Sequence, residues 1–161
     1  MNEMSRTILK ISGEVKAPQE FTYQDLLDLA AEYQVPDFKT VVPNRPGVAV
    51  KLQAVLDAAK VRDTAKFLGL HSSHDNFHAS IPLAEVRERG YVIYGFDDSP
   101  LPQAKGGPVR FFIPDHAQCN TEDIDECANV KFVDHMEFTS TRGFDNRPTD
   151  EEEHAKLHEH E

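Results

Sequence analysis

The sequence predicts an α+β domain built on a mixed β-sheet or barrel with short helices. Short β-prone runs recur along the chain, and only a few short helical patterns interrupt them. The two kinds of segment do not alternate regularly, as they would in a parallel β/α fold. A chain of 161 residues is also long enough to form one domain with its own hydrophobic core.

The first half of the chain predicts two strands and two helices. Residues 7–15 alternate loosely between apolar and polar side chains, which indicates a strand broken near Gly13. Thr22 is a suitable N-cap, and the apolar spacing that follows it predicts a helix. Residues 38–42 are β-prone, whereas the apolar residues of 50–59 recur at helical spacing.

The second half predicts more strands and a single short helix. The predicted strands are short and rich in apolar residues, and they cover 66–70, 77–81, 91–94, 109–113 and 130–139. Pro82 lies where a helix can start, and Leu83 and Val86 continue the helical pattern. Residues 117–129 are polar and acidic, which predicts a loop.

We expect a single domain over residues 1–142 and an acidic, weakly structured tail over residues 143–161. The tail has few apolar side chains and many charged ones, so it cannot bury enough surface to fold by itself. His154 and His158 have the i,i+4 spacing of a helical metal-binding pair, but the sequence offers no third fixed ligand. A solvated tail is therefore the favoured interpretation.

The charge of the chain excludes some partners. A formal net charge of −11 argues against a general nucleic-acid binder or an anionic-membrane binder. No apolar run approaches the roughly 18 residues of a membrane span, and the first residues lack the apolar core of a secretory signal. We therefore expect a cytoplasmic protein.

Residue patterns that carry known chemistry are scarce. The chain contains no nucleophile elbow, dinucleotide fingerprint or P-loop, so we assign no catalytic residue. Cys119 and Cys127 are interpreted as reduced, incidental thiols, with a local disulfide and a metal or redox pair as alternatives. His71, His74 and His78 look like a metal set, but a hairpin would scatter them over different faces. We expect polar loop histidines and no metal site, with the alternative that His78 lines a ligand pocket.

Residues 95–114, GFDDSPLPQAKGGPVRFFIP, form the stretch that most resembles a site. Gly106 and Gly107 permit a left-handed backbone or the close approach of another group. They precede a short apolar strand that carries one charge, Arg110. A guanidinium in such a run requires a partner, and its geometry suits phosphate or carboxylate.

Five sequence segments, in order over residues 8–139, resemble segments of the molybdopterin-binding domain of the sulfite oxidase family. They are ISGEV with FTYQDLLDL, GVAVKLQAVLDAAKV, DNFHASIPLAEV, DSPLPQAKGGPVRFFIP and NVKFVDHMEF. The resemblance implies the sulfite-oxidase-like fold and redox chemistry at a molybdenum atom carried by a pterin dithiolene. It also implies that one cysteine thiolate of the protein binds the metal, a role that suits a soft ligand.

The chain departs from the family pattern at the positions that matter for the metal. Residues 38–45 contain no cysteine, and Val41 or Val42 stands about where the ligand is expected. Phe77 replaces the active-site tyrosine of the sulfite-oxidising branch, and so lacks its hydroxyl donor. In addition, lysine replaces a common histidine at position 105, and phenylalanine replaces the usual tryptophan at position 132.

The resemblance implies that a positively charged lining is retained. The residues it assigns to cofactor binding are Arg45, Phe77, His78, Lys105, Gly106, Gly107, Arg110 and Lys131. The cations among them can hold a phosphate through charge-assisted hydrogen bonds. Two alternatives stay open: Arg110 and Lys131 pair with acids of this chain, and the glycines serve the turn alone.

Three hypotheses follow, and whether the chain is an enzyme stays open among them. In the first, it is a divergent domain without ordinary molybdenum catalysis, which binds an anionic small molecule or pterin or acts as an accessory domain. In the second, it is an active molybdopterin-dependent oxidoreductase with non-standard coordination, completed by Cys119 or solvent. In the third, its acidic surface docks onto a basic protein partner.

Overall fold

The computed structural model describes residues 6–114 and 130–146. Within these ranges the chain forms two mixed or antiparallel sheets and three short α-helices. The strands are β1 Thr7–Gly13, β2 Gln19–Thr22, β3 Gln34–Val35, β4 Val48–Lys51, β5 Phe67–Ser72, β6 Phe77–Pro82, β7 Tyr91–Phe96, β8 Ser99–Pro100, β9 Arg110–Phe112 and β10 His135–Thr139. The predicted α+β class with a mixed sheet and short helices is confirmed.

The first sheet has the strand order β2-β1-β10-β5-β6. Strand β10 pairs in parallel with β1, whereas its pairing with β5 is antiparallel. Met136 lies beside Ile11 on one neighbour and Leu70 on the other, and all three are buried. Because side chains alternate along a strand, the residues between them form the opposite, polar face of this sheet.

The second sheet has the order β3-β4-β7-β8, and β9 also pairs with β7. It carries apolar side chains on both faces. Val92 and Phe111 belong to the main core, which takes residues from both sheets. Their neighbours Ile93 and Phe112 belong to a second, smaller apolar cluster together with Phe38.

The helices are short and their limits have local causes. Helix α1, Tyr23–Leu27, begins at a capping box in which the Thr22 hydroxyl accepts from the Asp25 amide and the Asp25 carboxylate accepts from the Thr22 amide. Helix α2, Leu52–Ala59, ends at Lys60 in the left-handed conformation. Helix α3, Leu83–Val86, follows Pro82 as predicted.

Two predictions for residues 38–59 are wrong. Residues Phe38–Thr40 form a 3-10 turn, because the Asp37 carboxylate accepts from the Lys39 amide and caps it. Residues 48–51, the last two of which were expected to begin the helix, are strand β4. Pairing with β3 and β7 on both sides outweighs their helical spacing.

The predicted strand 130–139 is also shorter than expected. Strand β10 begins only at His135, because Phe132 has a φ of +56°, which no regular strand can contain. The backbone before it bonds elsewhere: the Phe132 amide donates to the Gly106 carbonyl at 2.8 Å, and the Val133 amide donates to the Val109 carbonyl at 2.8 Å.

Several predictions fall on residues that are not described. These are Cys119, Cys127, the acidic loop 117–129 and the tail histidines. Of the predicted tail, residues 143–146 are described, and they contact strand β6. No helix in the described ranges is long and apolar enough to cross a membrane.

Candidate functional site

Two arginines approach the ring of Phe112 on the second sheet. The Arg45 guanidinium carbon lies 4.8 Å from the ring centroid, and that of Arg110 lies 5.7 Å from it. Strand β9 places Arg110 and Phe112 on the same face, since they are two residues apart. The segment after the 3-10 turn at 38–40 supplies Arg45. The structure therefore brings two of the predicted cations together around one aromatic ring.

Arg110 is held inside the fold. Only 6% of the residue is exposed, and its Nη1 donates to the Lys105 carbonyl oxygen at 3.3 Å. A buried guanidinium keeps its charge because arginine does not lose its proton in proteins. This cation is therefore a permanent feature of the site.

The glycine pair allows the cations to lie close to the backbone. Gly106 has a φ of +94°, and a Cβ at this position would lie 3.2 Å from Lys131 Cγ and 3.3 Å from Arg110 Nη1. A Cβ on Gly107 would overlap the carbonyl oxygen of Leu101. The turn and the close approach of other groups therefore both require glycine here.

Two lysines complete the group of basic side chains around Gly106. The hydrogen bond from Phe132 to the Gly106 carbonyl fixes the neighbouring Lys131 beside the glycine. Lys105 is exposed, and its Nζ lies 4.6 Å from the centroid of the Phe96 ring. We call Arg45, Lys105, Arg110 and Lys131 the cation cluster.

The expected position of the metal-binding cysteine lies beside the cation cluster. Val41 and Val42 are half-buried and pack against the second apolar cluster, which includes Phe112. The Arg45 amide donates to the Val42 carbonyl at 3.0 Å, so the same turn positions both residues. The basic residues here suit an anionic group, but methyl groups occupy the place where a thiolate is expected.

A cavity of about 620 Å³ opens next to this cluster. Its lining combines polar and apolar groups from Arg6, the β5–β6 turn, the loop 100–108 and the segment before β10: Arg6, Ser73, His74, Pro100, Leu101, Pro102, Gln103, Gly107, Pro108, Phe132 and Asp134. Gly107 and Phe132 are the chain neighbours of Gly106 and Lys131. The four residues of the cation cluster are not among the residues that line the cavity, so the two regions are joined through these neighbouring residues of the chain.

The aromatic part of the cavity lining is formed by His74 and Phe132. Their ring centroids are 4.5 Å apart, and Gln103 Nε2 lies 3.1 Å from His74 Nε2. Sequence reasoning assigned the pocket histidine to His78 and missed His74 and Gln103. The polar turn that contains His74 was visible, but its folding toward Phe132 depends on contacts between distant segments.

Phe77 and His78, also predicted to bind the cofactor, lie elsewhere in the fold. Both are on β6 of the first sheet, whereas Arg110 is on β9 of the second. Phe77 packs at the margin of the main core. The ring of His78 faces His71, at 2.8 Å between the two Nδ1 atoms. Their role in binding stays a prediction.

The described residues offer no arrangement of three or more His, Cys, Asp or Glu side chains that could hold a metal ion. The expectation that His71, His74 and His78 scatter over different faces is wrong for one pair. His71 and His78 are directly opposite each other in the β5–β6 ladder and share a face. Only His74 lies apart, at the cavity.

Comparison with known proteins identifies the family. The sequence model described as "Oxidoreductase molybdopterin binding domain" matches residues 2–145. No curated protein sequence matches the chain. Among solved structures, the sulfane dehydrogenase SoxCD from Paracoccus pantotrophus is similar in fold, with a TM-score of 0.60 and 16% sequence identity over 88% of this chain.

The likeness to SoxCD concerns the fold, and it spans only 40% of the SoxCD chain. It agrees with the fold implied by the five sequence segments. All five lie within residues 8–139, and the family match over residues 2–145 contains them. The predicted resemblance and the sulfite-oxidase-like fold are therefore confirmed, and the chain belongs to the family of oxidoreductase molybdopterin-binding domains.

Proposed function

We propose that this chain binds molybdopterin or a related anionic pterin without supplying a thiolate to molybdenum, and that ordinary molybdenum catalysis has been lost. The observation that carries the proposal is the position of the cation cluster beside the cavity. Arg110 and Lys131 meet at Gly106, and Gly107 and Phe132, which follow Gly106 and Lys131 in the chain, line the cavity.

The cation cluster supports binding of a phosphate. Arginine presents a planar fork of donors that matches phosphate oxygens, and lysine adds a compact charge. Arg110 and Arg45 also share the ring of Phe112, which restricts both guanidinium groups. Restricting them before the ligand arrives lowers the entropy that binding must remove.

The cavity supports binding of the ring system. Its volume of about 620 Å³ falls within the range of small-molecule pockets, roughly 300–1,000 Å³. The rings of His74 and Phe132 offer planar surfaces, while Gln103 and Asp134 offer a donor and an acceptor for the polar edge of a heterocycle. In this proposal the residues of the chain bind and orient the ligand.

The missing thiolate limits the chemistry that we assign. When bound, a molybdenum-bearing pterin supplies oxidation or reduction at the metal. Val41 and Val42 have no metal-binding atom in their side chains, and both pack against the second apolar cluster. We therefore assign binding of the pterin to this chain and derive no step at the metal.

The proposal is tested on protein made in a host that synthesises molybdopterin. We expect pterin in stoichiometric amount, measured by fluorescence after oxidation, and molybdenum far below stoichiometric amount, measured by elemental analysis. Stoichiometric molybdenum would overturn the loss of metal ligation, and Cys119→Ser would then show whether that thiol holds the metal. Protein without pterin would overturn the binding site.

Single substitutions test the cation cluster directly. Arg45→Gln and Lys131→Gln should each weaken pterin retention by about tenfold, since a hydrogen bond to a charged group contributes about 1.5 kcal/mol or more. Arg89→Gln is the control, because Arg89 is exposed and belongs neither to the cation cluster nor to the cavity lining. Equal retention in all three variants would contradict the assignment.

A further inference from the structure

Three histidines form a row across the polar face of the first sheet. His135 on β10 pairs with His71 on β5, and His71 pairs with His78 on β6. The ring centroids are 5.2 Å apart for His71 and His135, and 5.0 Å apart for His71 and His78. None of the three lines the cavity next to the cation cluster.

The contact between His71 and His78 depends on protonation. Their Nδ1 atoms are 2.8 Å apart, so one nitrogen donates a proton and the other must accept it. His71 Nε2 lies 3.1 Å from Glu137 Oε1, and His78 Nε2 lies 3.0 Å from Asn76 Oδ1. If both rings became imidazolium, two N–H groups and two positive charges would face each other.

Burial favours the neutral form of two of the three rings, those of His78 and His135. Burial lowers the pKa of His78, and the charge of His71 lowers it further, against the opposing effect of Asp134 and Asp75. Burial also lowers the pKa of His135, whose Nε2 lies 2.6 Å from Ser12 Oγ. The charged groups facing His135 are His71 and Lys10, which lower this pKa, and Glu137 and Asp134, which raise it.

Residues 142–146 lie along the outer edge of β6, the last strand of the sheet. The Asn146 amide donates to the His78 carbonyl at 3.0 Å, and the His78 amide donates to Asn146 Oδ1 at 2.8 Å. The Ser80 amide donates to Asp145 Oδ2 at 3.0 Å. This segment, which we call the strap, therefore satisfies edge amides that would otherwise be open to pairing.

The strap depends on the same histidine that contacts His71. The ring of Phe144 lies 4.8 Å from the His78 ring, although Phe144 is 62% exposed. Asn146 Nδ2 donates to the Asn76 carbonyl at 2.8 Å, and Asn76 in turn bonds the outer nitrogen of His78. A movement of the His78 ring would disturb its contacts with Phe144 and Asn76, two residues that lie in the strap or bond to it.

We propose that the His71–His78 pair is a proton-dependent latch for the strap. With one proton between the two Nδ1 atoms, the pair holds His78 in place and the strap covers the β6 edge. When both rings are protonated they separate, the strap leaves, and the amides of His78 and Ser80 become accessible. This regulation does not depend on the proposed binding function.

Amide hydrogen exchange, corrected for the intrinsic effect of pH, tests the latch. Between about pH 8 and about pH 5, on either side of the value for free imidazole, protection of the His78 and Ser80 amides should fall by about tenfold or more. The amides of Ala79 and Ile81, which lie opposite Leu70 and Leu68 in the ladder, are internal controls and should keep their protection. Unchanged protection at His78 and Ser80 would overturn the proposal.

Two variants separate the latch from general acid effects. His71→Asn removes one of the two facing charges, so the strap amides should stay protected at acidic pH. His78→Gln should have the same effect, and it replaces the first variant if that one does not fold. His74→Asn lies in the turn that joins β5 and β6, outside the row, and should keep the response of the unsubstituted protein. If His71→Asn and His78→Gln lose amide protection at acidic pH to the same extent as the unsubstituted protein, the proposal is overturned.

Discussion

The cation cluster on the second sheet and the histidine row on the first each bring basic side chains into contact, but by opposite means. Arg45 and Arg110 keep their charge at every physiological pH, and they lie against the face of Phe112. The histidines instead contact each other, with 2.8 Å between the Nδ1 atoms of His71 and His78, so at least one of these two nitrogens carries no proton.

This difference shows that a basic group that always carries its charge makes different contacts from one that can lose it. A permanent cation needs ring faces, carbonyl oxygens or an anion, so the first region suits a ligand. An imidazole can remove its own charge by losing a proton, so the second region suits a response to pH. Substitutions in each region and changes of pH test whether the two regions differ in this way.

The largest effect is expected from the backbone next to the cation cluster. Gly107→Ala should lower the free energy of unfolding by about 3 kcal/mol, because the new Cβ overlaps the backbone oxygen of Leu101, which cannot move aside freely. Urea denaturation measures this change. Gly143→Ala in the strap is the control, since its nearest neighbour would be Ser80 Oγ at 3.7 Å, and its effect should be below about 1 kcal/mol. Equal effects at the two glycines would contradict the difference in backbone packing.

An intermediate effect is expected from the histidine row as the pH falls. Because the pKa values of His78 and His135 are lowered in the folded state, the unfolded chain binds more protons below about pH 6.5. The stability of the protein should therefore fall as the pH decreases through this range and recover above it. The loss should be smaller than that caused by Gly107→Ala.

His135→Gln should make this pH dependence of stability shallower, as measured by urea midpoints across the range. His74→Gln is the control, since His74 stacks on Phe132 at the cavity, outside the row. A slope that His135→Gln leaves unchanged would show that the row does not couple protonation to folding.

The smallest effect is expected from the exposed edge of the cation cluster. Lys105→Gln removes a cation 4.6 Å from the Phe96 ring, and exposed cation–π pairs contribute about 0.5–1 kcal/mol. Thermal unfolding should register a loss of that size at most, with Lys16→Gln as an exposed control between strands β1 and β2. A loss well above 1 kcal/mol would mean that Lys105 is part of the folded core of the cluster and not of its edge.

The predictions from sequence succeeded where structure depends on neighbouring residues. The cap at Thr22 and the helix start after Pro82 were found because short-range hydrogen bonds and backbone preferences decide them. Residues 38–42 and 50–51 were misassigned because the Asp37 cap and two flanking strands outweigh their propensity.

The sequence by itself determined the family, through five sequence segments in a fixed order. It also determined the absence of cysteine between Asp37 and Gly47 and the presence of Arg110 near a glycine pair. Only the tertiary structure decided that Arg45 meets Arg110 at Phe112 and that His71 meets His78 and His135. The physical reason is that composition and local spacing are properties of the chain, whereas cross-strand register and the contact of distant segments arise only when the core is buried.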